Sequence, residues 1–290
     1  MTRLTGKAGI GLGVRCEEVV HIYRRGDTEV VALRGVDLDV APGEAVAIYG
    51  PSGCGKSTLI GLLGGLLPPS AGQAWLGDRE IGRMSPRDLL RLRAGTVATV
   101  LQGAGRNLLP YATPLQNLEF ARRAVGRARR RELPSPAELL DRLGLGAVAH
   151  TPVSQLSGGE QQRVAVVAAV APGPGLLLAD EPTSQLDAPA RDAVLDVLQR
   201  VNAEFGTTII AVTHDPQVGE RLGRTVTMRF GRVGQTGAGG REHTVIGRDG
   251  GLQLPDRYLE AWPPGTLVDV VPDGDDLRLR RHRQGDGDGI

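Results

Sequence analysis

A nine-residue segment constrains the fold of this 290-residue chain more than any other. It reads Gly50-Pro51-Ser52-Gly53-Cys54-Gly55-Lys56-Ser57-Thr58. The segment matches the P-loop pattern and follows an apolar run, residues 44–49, that predicts a buried strand. Glycines let the backbone turn tightly so that its N–H groups face phosphate oxygens, and the next helix adds the positive end of its dipole. A chance Gly-rich turn would not bring strand, loop, lysine and helix together in this order.

Two side chains of this segment carry specific chemistry. Lys56 is expected to place its charge on the β- and γ-phosphates of a nucleotide, and the Ser57 hydroxyl is expected to ligate Mg²⁺. Basic residues of this chain are nearly all arginine, with Lys7 and Lys56 as the only lysines. A lysine inside such a chain needs a local reason, and phosphate contact supplies one for Lys56.

An acidic pair, Asp180 and Glu181, follows the apolar run of residues 176–179. An apolar strand with an acidic end, downstream of a P-loop, indicates a Walker B motif. Asp180 is expected to hold Mg²⁺, directly or through water. Glu181 is expected to polarise the attacking water as a general base, a role worth roughly 10²–10⁴-fold in rate. Many strands end in Asp, so the P-loop upstream gives this interpretation its weight.

Apolar runs alternate with helix-like segments along most of the chain. The predicted strands are residues 44–49, 96–101, 175–180 and 207–213, and the predicted helices include residues 56–66, 135–143 and 188–204. Short continuous apolar runs are typical of strands buried on both faces of a mostly parallel sheet, so the pattern predicts an α/β layer fold. Hydrophobic residues make up 40% and aromatic residues 3% of the chain, which predicts a large aliphatic core.

The composition divides the chain into segments. We expect a flexible N-terminus at 1–13, a main domain at 14–232 with an inserted helical subdomain at about 103–170, a Gly-rich linker at 233–243, a small β-hairpin unit at 244–283 and a disordered tail at 284–290. The Arg-rich stretch at residues 122–131 is interpreted as a solvated helix face rather than a nucleic-acid patch.

Between the P-loop and the acidic pair lies the stretch Leu156-Ser157-Gly158-Gly159-Glu160-Gln161-Gln162-Arg163. It resembles the signature motif of ABC ATPases, which is highly specific beside a P-loop. A Ser and two glycines before a helix make a second anion cradle. The resemblance implies a P-loop NTPase fold of the ABC type. It also implies a head-to-tail homodimer, in which Ser157, Gly158, Gly159 and Glu160 of one subunit close on the ATP of the other.

The resemblance covers residues 15–232 and implies roles for four further side chains. Tyr23 matches the aromatic residue that stacks on adenine, although a surface tyrosine in a strand is the alternative. Gln102 matches the Q-loop glutamine, which senses Mg²⁺ or water and touches the membrane partner. Asp187 belongs to a match to the D-loop at the dimer interface. His214 matches the switch histidine that contacts the γ-phosphate.

Other segments resemble the MacB, LolD and FtsE subgroup. They are Gly61-Leu62-Leu63-Gly64-Gly65-Leu66, Arg91-Leu92-Arg93, and Asn107-Leu108-Leu109-Pro110 with Asn117. The resemblance implies an ATP-hydrolysing subunit at the cytoplasmic face of the cell membrane. It would drive an integral membrane permease of the FtsX/MacB type in export, lipoprotein extraction or mechanotransmission. An FtsE-like signalling ATPase that controls an extracytoplasmic cell-wall hydrolase through its membrane partner is the alternative. The chain departs from the family at Val167-Ala168-Ala169-Val170, where Ala-Arg-Ala-Leu is usual, which affects a helix contact rather than hydrolysis.

Charge and composition weigh against other functions. The formal net charge of +1 gives no indication of a nucleic-acid partner. A soluble ABC ATPase usually carries two cassettes or a long insertion, and this chain shows neither. No apolar run approaches the roughly 18–20 residues that span a bilayer, so any membrane-spanning part is expected in another chain. The two cysteines, Cys16 and Cys54, predict a reduced protein without a disulfide framework.

The segment at residues 244–283 predicts two short hairpins. The run Gly247-Arg248-Asp249-Gly250-Gly251-Leu252-Gln253-Leu254-Pro255 weakly resembles an AbrB-type swapped-hairpin unit. Such units dimerise and some bind DNA, while a small β cap on the main domain is an equal alternative. An arginine cluster near residue 280 suits either a solvated strand end or contact with anionic lipid.

Overall fold

The computed structural model describes residues 11–26, 28–235, 254, 256–263, 265–274 and 276–282. The chain divides into two compact units, Met1–Arg241 and Glu242–Ile290. The strands of the first unit are β1 (Val14–Arg25), β2 (Thr28–Val40), β3 (Ala45–Tyr49), β4 (Ala71–Leu76), β5 (Arg79–Glu80), β6 (Val97–Val100), β7 (Leu176–Asp180), β8 (Thr208–Thr213), β9 (Arg224–Arg229) and β10 (Arg232–Gln235). Its α-helices are α1 (Lys56–Leu63), α2 (Pro86–Gly95), α3 (Pro114–Arg122), α4 (Arg127–Glu132), α5 (Pro136–Arg142), α6 (Gly158–Val170), α7 (Ala188–Phe205) and α8 (Pro216–Leu222).

The central sheet has six strands in the order β10-β9-β3-β8-β7-β6. Neighbours from β9 through β6 pair in parallel, and only the edge strand β10 is antiparallel. Every residue of β8 is buried, as expected for a strand covered on both faces. The predicted α/β fold with a mostly parallel sheet is confirmed, and each of the four predicted strands agrees with its observed strand to within one residue at either end.

Parallel strands align their carboxyl ends, and this alignment creates the site. β3, β8 and β7 are neighbours, so the chain leaves all three strands at one edge of the sheet. The P-loop follows β3, Asp180 is the last residue of β7, and His214 follows β8. Ligands of open α/β sheets bind at this edge.

A second sheet, with the antiparallel order β2-β1-β4-β5, was not predicted from the sequence. β1 and β2 span 12 and 13 residues, and their pairing is interrupted by register shifts between Cys16 and Val19 and between His21 and Ile22. A bulge shifts the side-chain alternation from one face to the other, so the period of two is lost in the sequence.

Side-chain caps define where most helices begin. Ser85, Thr113, Ser135, Ser157 and Asp187 each accept a hydrogen bond from a backbone N–H in the first turn of α2, α3, α5, α6 and α7. Proline at the first or second helical position follows four of these caps, where its missing N–H has no cost. α7 ends at Gly206, whose φ of 63° suits glycine.

Helices α3 to α6 lie within the predicted helical subdomain. α6 packs against α3, α7 and β6, so the helices share one apolar core with the sheet. The Arg-rich stretch is not wholly a solvated face. Arg122 is buried and donates to the carbonyl oxygens of Pro134 and Arg130. Arg129 donates to the carbonyl oxygens of Gly95 and Gly173, which ties α4 to the ends of α2 and α6.

Two predicted boundaries need correction. The linker predicted from residue 233 is wrong at its start, because Val233 and Gly234 pair with β9 and Val233 packs on the core. The flexible N-terminus predicted for 1–13 is wrong at its end. Leu12 N–H donates to the Gly175 carbonyl oxygen and Gly13 accepts from Gly77, so the backbone there is held.

The second unit contains α9 (Asp256–Leu259) and a hairpin of β11 (Val268–Asp273) and β12 (Asp276–Arg281), with Val270 opposite Leu279. The Arg281 guanidinium lies 5.9 Å from the centroid of the Trp262 ring. The hairpin predicted over residues 244–254 lies, except for Leu254, outside the described residues, as do the predicted tail and most of the predicted linker.

Candidate active site

The P-loop is fitted closely between neighbouring strands. A Cβ on Gly50 would stand 2.1 Å from the carbonyl oxygen of Met228, and one on Gly55 would stand 2.5 Å from that of Ala32. Gly55 also has a φ of 106°, which favours glycine. Pro51, Ser52 and Gly53 remain exposed. The loop therefore keeps its glycines for steric reasons while its outer turn faces solvent.

Lys56 begins α1 and is buried at 6% exposure. Its Nζ atom donates to the carbonyl oxygens of Gly50 at 2.6 Å and Pro51 at 3.0 Å. The same atom lies 3.7 Å from Oε1 of Glu181. The ammonium group is thus enclosed by its own loop on one side and faces the acidic pair on the other.

The acidic pair stands where β7 ends. Burial raises the pKa of the Asp180 carboxyl, while a hydrogen bond from the Ser57 hydroxyl acts in the opposite direction. Glu181 has a φ of 49°, a left-handed conformation that is uncommon for a non-glycine residue. Its N–H donates to the carbonyl oxygen of Val212 at 2.9 Å, which holds this turn against β8. The turn aims the Glu181 side chain at the groups that follow β8.

His214 meets Glu181 directly. Its Nδ1 atom lies 2.8 Å from Oε2 of Glu181, and its backbone N–H donates to the same oxygen at 3.3 Å. A carboxylate only accepts, so Nδ1 carries the proton of this bond. The side chain of His214 is 62% exposed, whereas that of Glu181 is 12% exposed. The histidine therefore connects the buried carboxylate to the open surface.

Gln102 and the segment after Glu181 face each other. Gln102 follows β6, and its amide lies 3.5 Å from the Ser184 hydroxyl, at the limit of hydrogen bonding.

Asp187 uses its carboxylate to cap α7 by accepting from the N–H of Ala190 at 2.9 Å. The structure therefore gives Asp187 a local helix-capping contact.

Tyr23 lies beside the start of α1. Its hydroxyl is 3.3 Å from the Thr58 hydroxyl, and 42% of the residue is exposed. The aromatic ring is therefore located next to the P-loop with part of its surface free.

The Ser157 cradle is built on α6. The Ser157 hydroxyl and the Glu160 carboxylate form a capping box, which holds the pKa of Glu160 below its usual range. Gly159 approaches α7, since a Cβ there would lie 2.7 Å from the Cβ of Ala190, while Gly158 has open space around it. Among the residues that the structure describes, no hydrogen bond or ion pair joins this cradle to the P-loop.

Comparison with known proteins decides the family. The family model described as "ABC transporter" matches residues 33–184, just over half of the 290 residues. The lipoprotein-releasing system ATP-binding protein LolD 2 of Caulobacter vibrioides is 41% identical over 222 residues, which cover 77% of this chain and 96% of that protein. The chain belongs to the ABC transporter family. It is an ATPase of that family.

Two further similarities extend the comparison of this ABC ATPase. The macrolide export ATP-binding/permease protein MacB of Chromobacterium violaceum is 37% identical over 263 residues, or 89% of this chain. This chain spans only 40% of that protein's length. The dimeric ATP-binding cassette MJ0796, in a post-hydrolysis state bound to ADP and Pi, is 32% identical, with a TM-score of 0.66 and coverage of 81% of this chain and 99% of that one. None of the helices that the structure describes in this ABC ATPase combines the length and the apolar character that a membrane span requires.

The subgroup asparagines of this ABC ATPase fix the loops next to Gln102. Asn107 accepts from the N–H of Leu101 at 2.8 Å and donates to the Leu101 and Gly103 carbonyl oxygens. Asn117 does the same for Leu109, accepting from its N–H at 2.8 Å. Each side chain pairs with both backbone groups of one loop residue, and the loop after Gln102 also contains a 3-10 turn at Ala104–Arg106.

Sequence reasoning missed several residues around the site. Arg106 lies close enough to Asp180 for its charge to act on that carboxylate. Ser184 is the contact of Gln102, and His21 lies against Tyr23. None of the three was given a chemical role from the sequence. Their proximity depends on the register of strands that are far apart in the chain.

Proposed function

We propose that this ABC ATPase hydrolyses ATP within a head-to-tail homodimer and so drives an integral membrane permease from the cytoplasmic face of the membrane. One observation carries the proposal. Lys56, Glu181 and His214 form a connected cluster at the carboxyl edge of the sheet, while Ser157 presents a second anion cradle that no described contact joins to it. A second subunit is therefore needed to bring both cradles onto one ATP.

The residues around Asp180 fit Mg²⁺. The Ser57 hydroxyl and the Asp180 carboxylate lie within hydrogen-bonding reach of each other, so two hard oxygen donors are adjacent. Mg²⁺ in nucleotide sites takes one or two protein oxygens, with phosphate oxygens and water completing its shell. Ser57, Asp180 and the Gln102 amide would hold the ion. When bound, it supplies positive charge to the β- and γ-phosphates.

The remaining roles follow from proton and charge positions. Glu181 accepts a proton from the attacking water as general base, since its carboxylate is largely buried and oriented by two donors of His214. His214 orients that carboxylate and contacts the γ-phosphate from the exposed side. Lys56 places its ammonium on the phosphates together with backbone N–H groups of the P-loop, whose outer turn at residues 51–53 is exposed. Tyr23 stacks on adenine. Cys54 and Thr58 complete the P-loop contacts, and Gly50 and Gly55 keep its shape.

The permease is proposed to dock in a cleft next to Gln102. The cleft has a volume of about 530 Å³ and is bounded by residues after β6 and by α2, α3 and α6. Leu66, Leu101 and Phe120 contribute exposed apolar surface, and Arg93 and Arg106 contribute charge, while none of the described residues that line the cleft is acidic. The surface therefore suits an apolar segment of the partner that also carries a carboxylate. Ala168, which stands where Arg is usual, and its neighbour Ala169 leave the α6 side of the cleft apolar.

The relatives favour transport over the alternatives. Their names describe macrolide export and lipoprotein release, and we propose an FtsX/MacB-type permease and a task of this kind for the present chain. The FtsE-like signalling alternative and a soluble ATPase with a DNA-binding hairpin are not favoured by these relatives. For the C-terminal unit we retain the proposal of a dimerising hairpin.

The decisive experiment is light scattering of purified Glu181→Gln protein with and without Mg-ATP. The variant is expected to bind ATP, lose turnover and form a larger fraction of dimer with Mg-ATP than without it. Glu204→Gln, an exposed change near the far end of α7, is the matched control and should hydrolyse ATP like the parent. Parental hydrolysis by Glu181→Gln would show that the general-base assignment is wrong. A monomer under both conditions would contradict ATP-driven closure of the isolated subunit.

A further inference from the structure

His21 is a buried polar residue with no role in the chemistry above. It lies on β1 at 7% exposure. Its Nδ1 atom is 2.9 Å from the carbonyl oxygen of Pro68. A carbonyl oxygen only accepts, so Nδ1 carries the hydrogen and the ring has a fixed orientation.

The segment after α1 holds β1 at three consecutive residues. Besides the bond from His21 to Pro68, the N–H of Ser70 donates to the Val20 carbonyl oxygen at 2.7 Å. The N–H of Ile22 donates to the Ser70 hydroxyl at 3.0 Å. His21 therefore belongs to a set of hydrogen bonds that join β1 to the segment after α1, and its ring does not rotate freely.

This anchored ring contacts Tyr23. The His21 and Tyr23 ring centroids are 4.7 Å apart with an interplanar angle of 81°, an edge-to-face pair. At its other end Tyr23 meets Thr58 through its hydroxyl, 3.3 Å away. The tyrosine ring is held at two points and still exposes 42% of its surface. A two-point support of this kind fixes the ring plane while leaving room for a flat ligand.

We propose that His21 is a positioning residue that holds Tyr23 as a preformed platform for the purine base. This inference rests on the proposed function, since it takes Tyr23 as the adenine contact. A preformed ring avoids the loss of side-chain freedom on binding, so the support strengthens binding of the base. It does not change the contacts of the phosphates, which belong to the P-loop. His21 therefore governs affinity and selectivity for the nucleobase and leaves turnover unaffected.

The test compares ATP with inorganic tripolyphosphate, which carries the phosphates without a base. His21→Ala is expected to raise KM for ATP roughly two- to tenfold, in line with the strength of one aromatic pair. The value of kcat should stay within about twofold. The inhibition constant of tripolyphosphate should not change. His21→Phe keeps a ring without the Pro68 bond, and His21→Gln keeps a polar group without a ring, so Phe should restore ATP affinity better than Gln. His150→Ala changes an exposed residue in a turn of the predicted helical subdomain and is the control.

Two results would overturn the inference. One is an unchanged KM for ATP in His21→Ala and His21→Gln alike. The other is a parallel loss of tripolyphosphate and ATP affinity, which would show general distortion rather than a base-specific role. If His21→Ala does not fold, the Phe and Gln variants decide by the same comparison. Absence of ATP hydrolysis in the parent, or parental hydrolysis by Lys56→Ala, would contradict the proposed function itself and is distinguishable from either result.

Discussion

The imidazole of His214 and the carboxylate of Glu181 are joined by a 2.8 Å hydrogen bond, although the two residues are 33 positions apart in the chain. β7 and β8 are parallel neighbours, and the register pairs Asp180 with Val212. The residues just beyond each strand are therefore adjacent. The base and the switch histidine of the proposed mechanism form one unit whose geometry depends on this register.

Replacing His214 should expose how far Glu181 depends on it. His214→Ala removes the side-chain donor and leaves the Glu181 carboxylate with a single weak backbone contact from residue 214. We expect kcat to fall about 10²-fold, the lower end of the roughly 10²–10⁴-fold that general acid–base catalysis contributes. Steady-state ATPase assays measure this, with His150→Ala as control. A kcat within twofold of the parent would show that Glu181 is oriented by other groups.

Alanine substitutions at Gly158 and Gly159 should affect different properties, thermal stability at Gly159 and ATP-driven dimerisation at Gly158. In Gly159→Ala the new Cβ would meet Ala190 at 2.7 Å, and overpacking of this kind typically costs about 1–3 kcal/mol. We expect a melting temperature lower by roughly 2–12 °C. In Gly158→Ala the space is open, so melting should be unchanged, while ATP-driven dimerisation of the Glu181→Gln background should weaken. Equal melting temperatures for the two variants would contradict this packing account.

Mixing two inactive variants should restore activity if the dimer is head-to-tail. Glu181→Gln has an intact signature cradle, and Ser157→Arg has an intact P-loop cluster. In a mixed dimer one of the two composite sites combines both intact halves, so ATP hydrolysis should reappear on mixing. The assay is ATPase activity against the ratio of the two proteins. No recovery at any ratio would indicate that each subunit completes its own site.

Both cysteine thiols should be unreactive in the folded protein. Burial raises the pKa of Cys16 to about 12 and also raises that of Cys54, against the opposing charge of Lys56. Only the thiolate reacts with aromatic disulfides, and at pH 8 about one Cys16 thiol in 10⁴ is ionised. We expect slow labelling in the native state and fast labelling of both thiols in denaturant. Fast native labelling of a Cys16→Ala variant would show that Cys54 is accessible.

Removal of residues 243–290 should affect association more than catalysis. In the hairpin of the second unit, Val270 and Leu277 are 57% and 61% exposed and lie on the same face of the pairing as Leu279. A two-stranded hairpin is marginal alone, and a dimerising unit would raise the effective concentration of the ATPase domains. We expect kcat and KM within about twofold of the full chain and weaker nucleotide-free dimerisation by sedimentation. An unchanged monomer–dimer balance would contradict the dimerising role.

Local chemistry made much of this fold predictable. The parallel strands have continuous apolar runs because both faces are covered, and the helix starts have cap residues followed by Pro or Glu. The antiparallel sheet was missed because bulges near Val19 and Ile22 break its alternation. Arg122 was assigned to a solvated face because nothing local shows that Pro134 and Arg130 supply buried acceptors.

In the site, too, residues within short motifs were predicted, whereas contacts between residues far apart in the chain were not. Lys56, Asp180 and Glu181 were predicted from motifs whose spacing is short. The support of Tyr23 by His21 depends on Pro68, 47 residues beyond His21, and no motif spans that distance. The contact between Gln102 and Ser184 likewise joins two loops that only the sheet brings together. Groups that adjust a site are therefore harder to predict than groups that perform its chemistry.

The carbonyl oxygens that surround the Lys56 ammonium group have a consequence for the reaction cycle. The ammonium group already has two oxygen partners, from Gly50 and Pro51, and a carboxylate nearby. Nucleotide entry is then an exchange of one set of oxygen ligands for another, in the way that a hydrated cation exchanges water. Product departure returns the lysine to its own loop, so neither step leaves a bare charge in a poorly hydrated place.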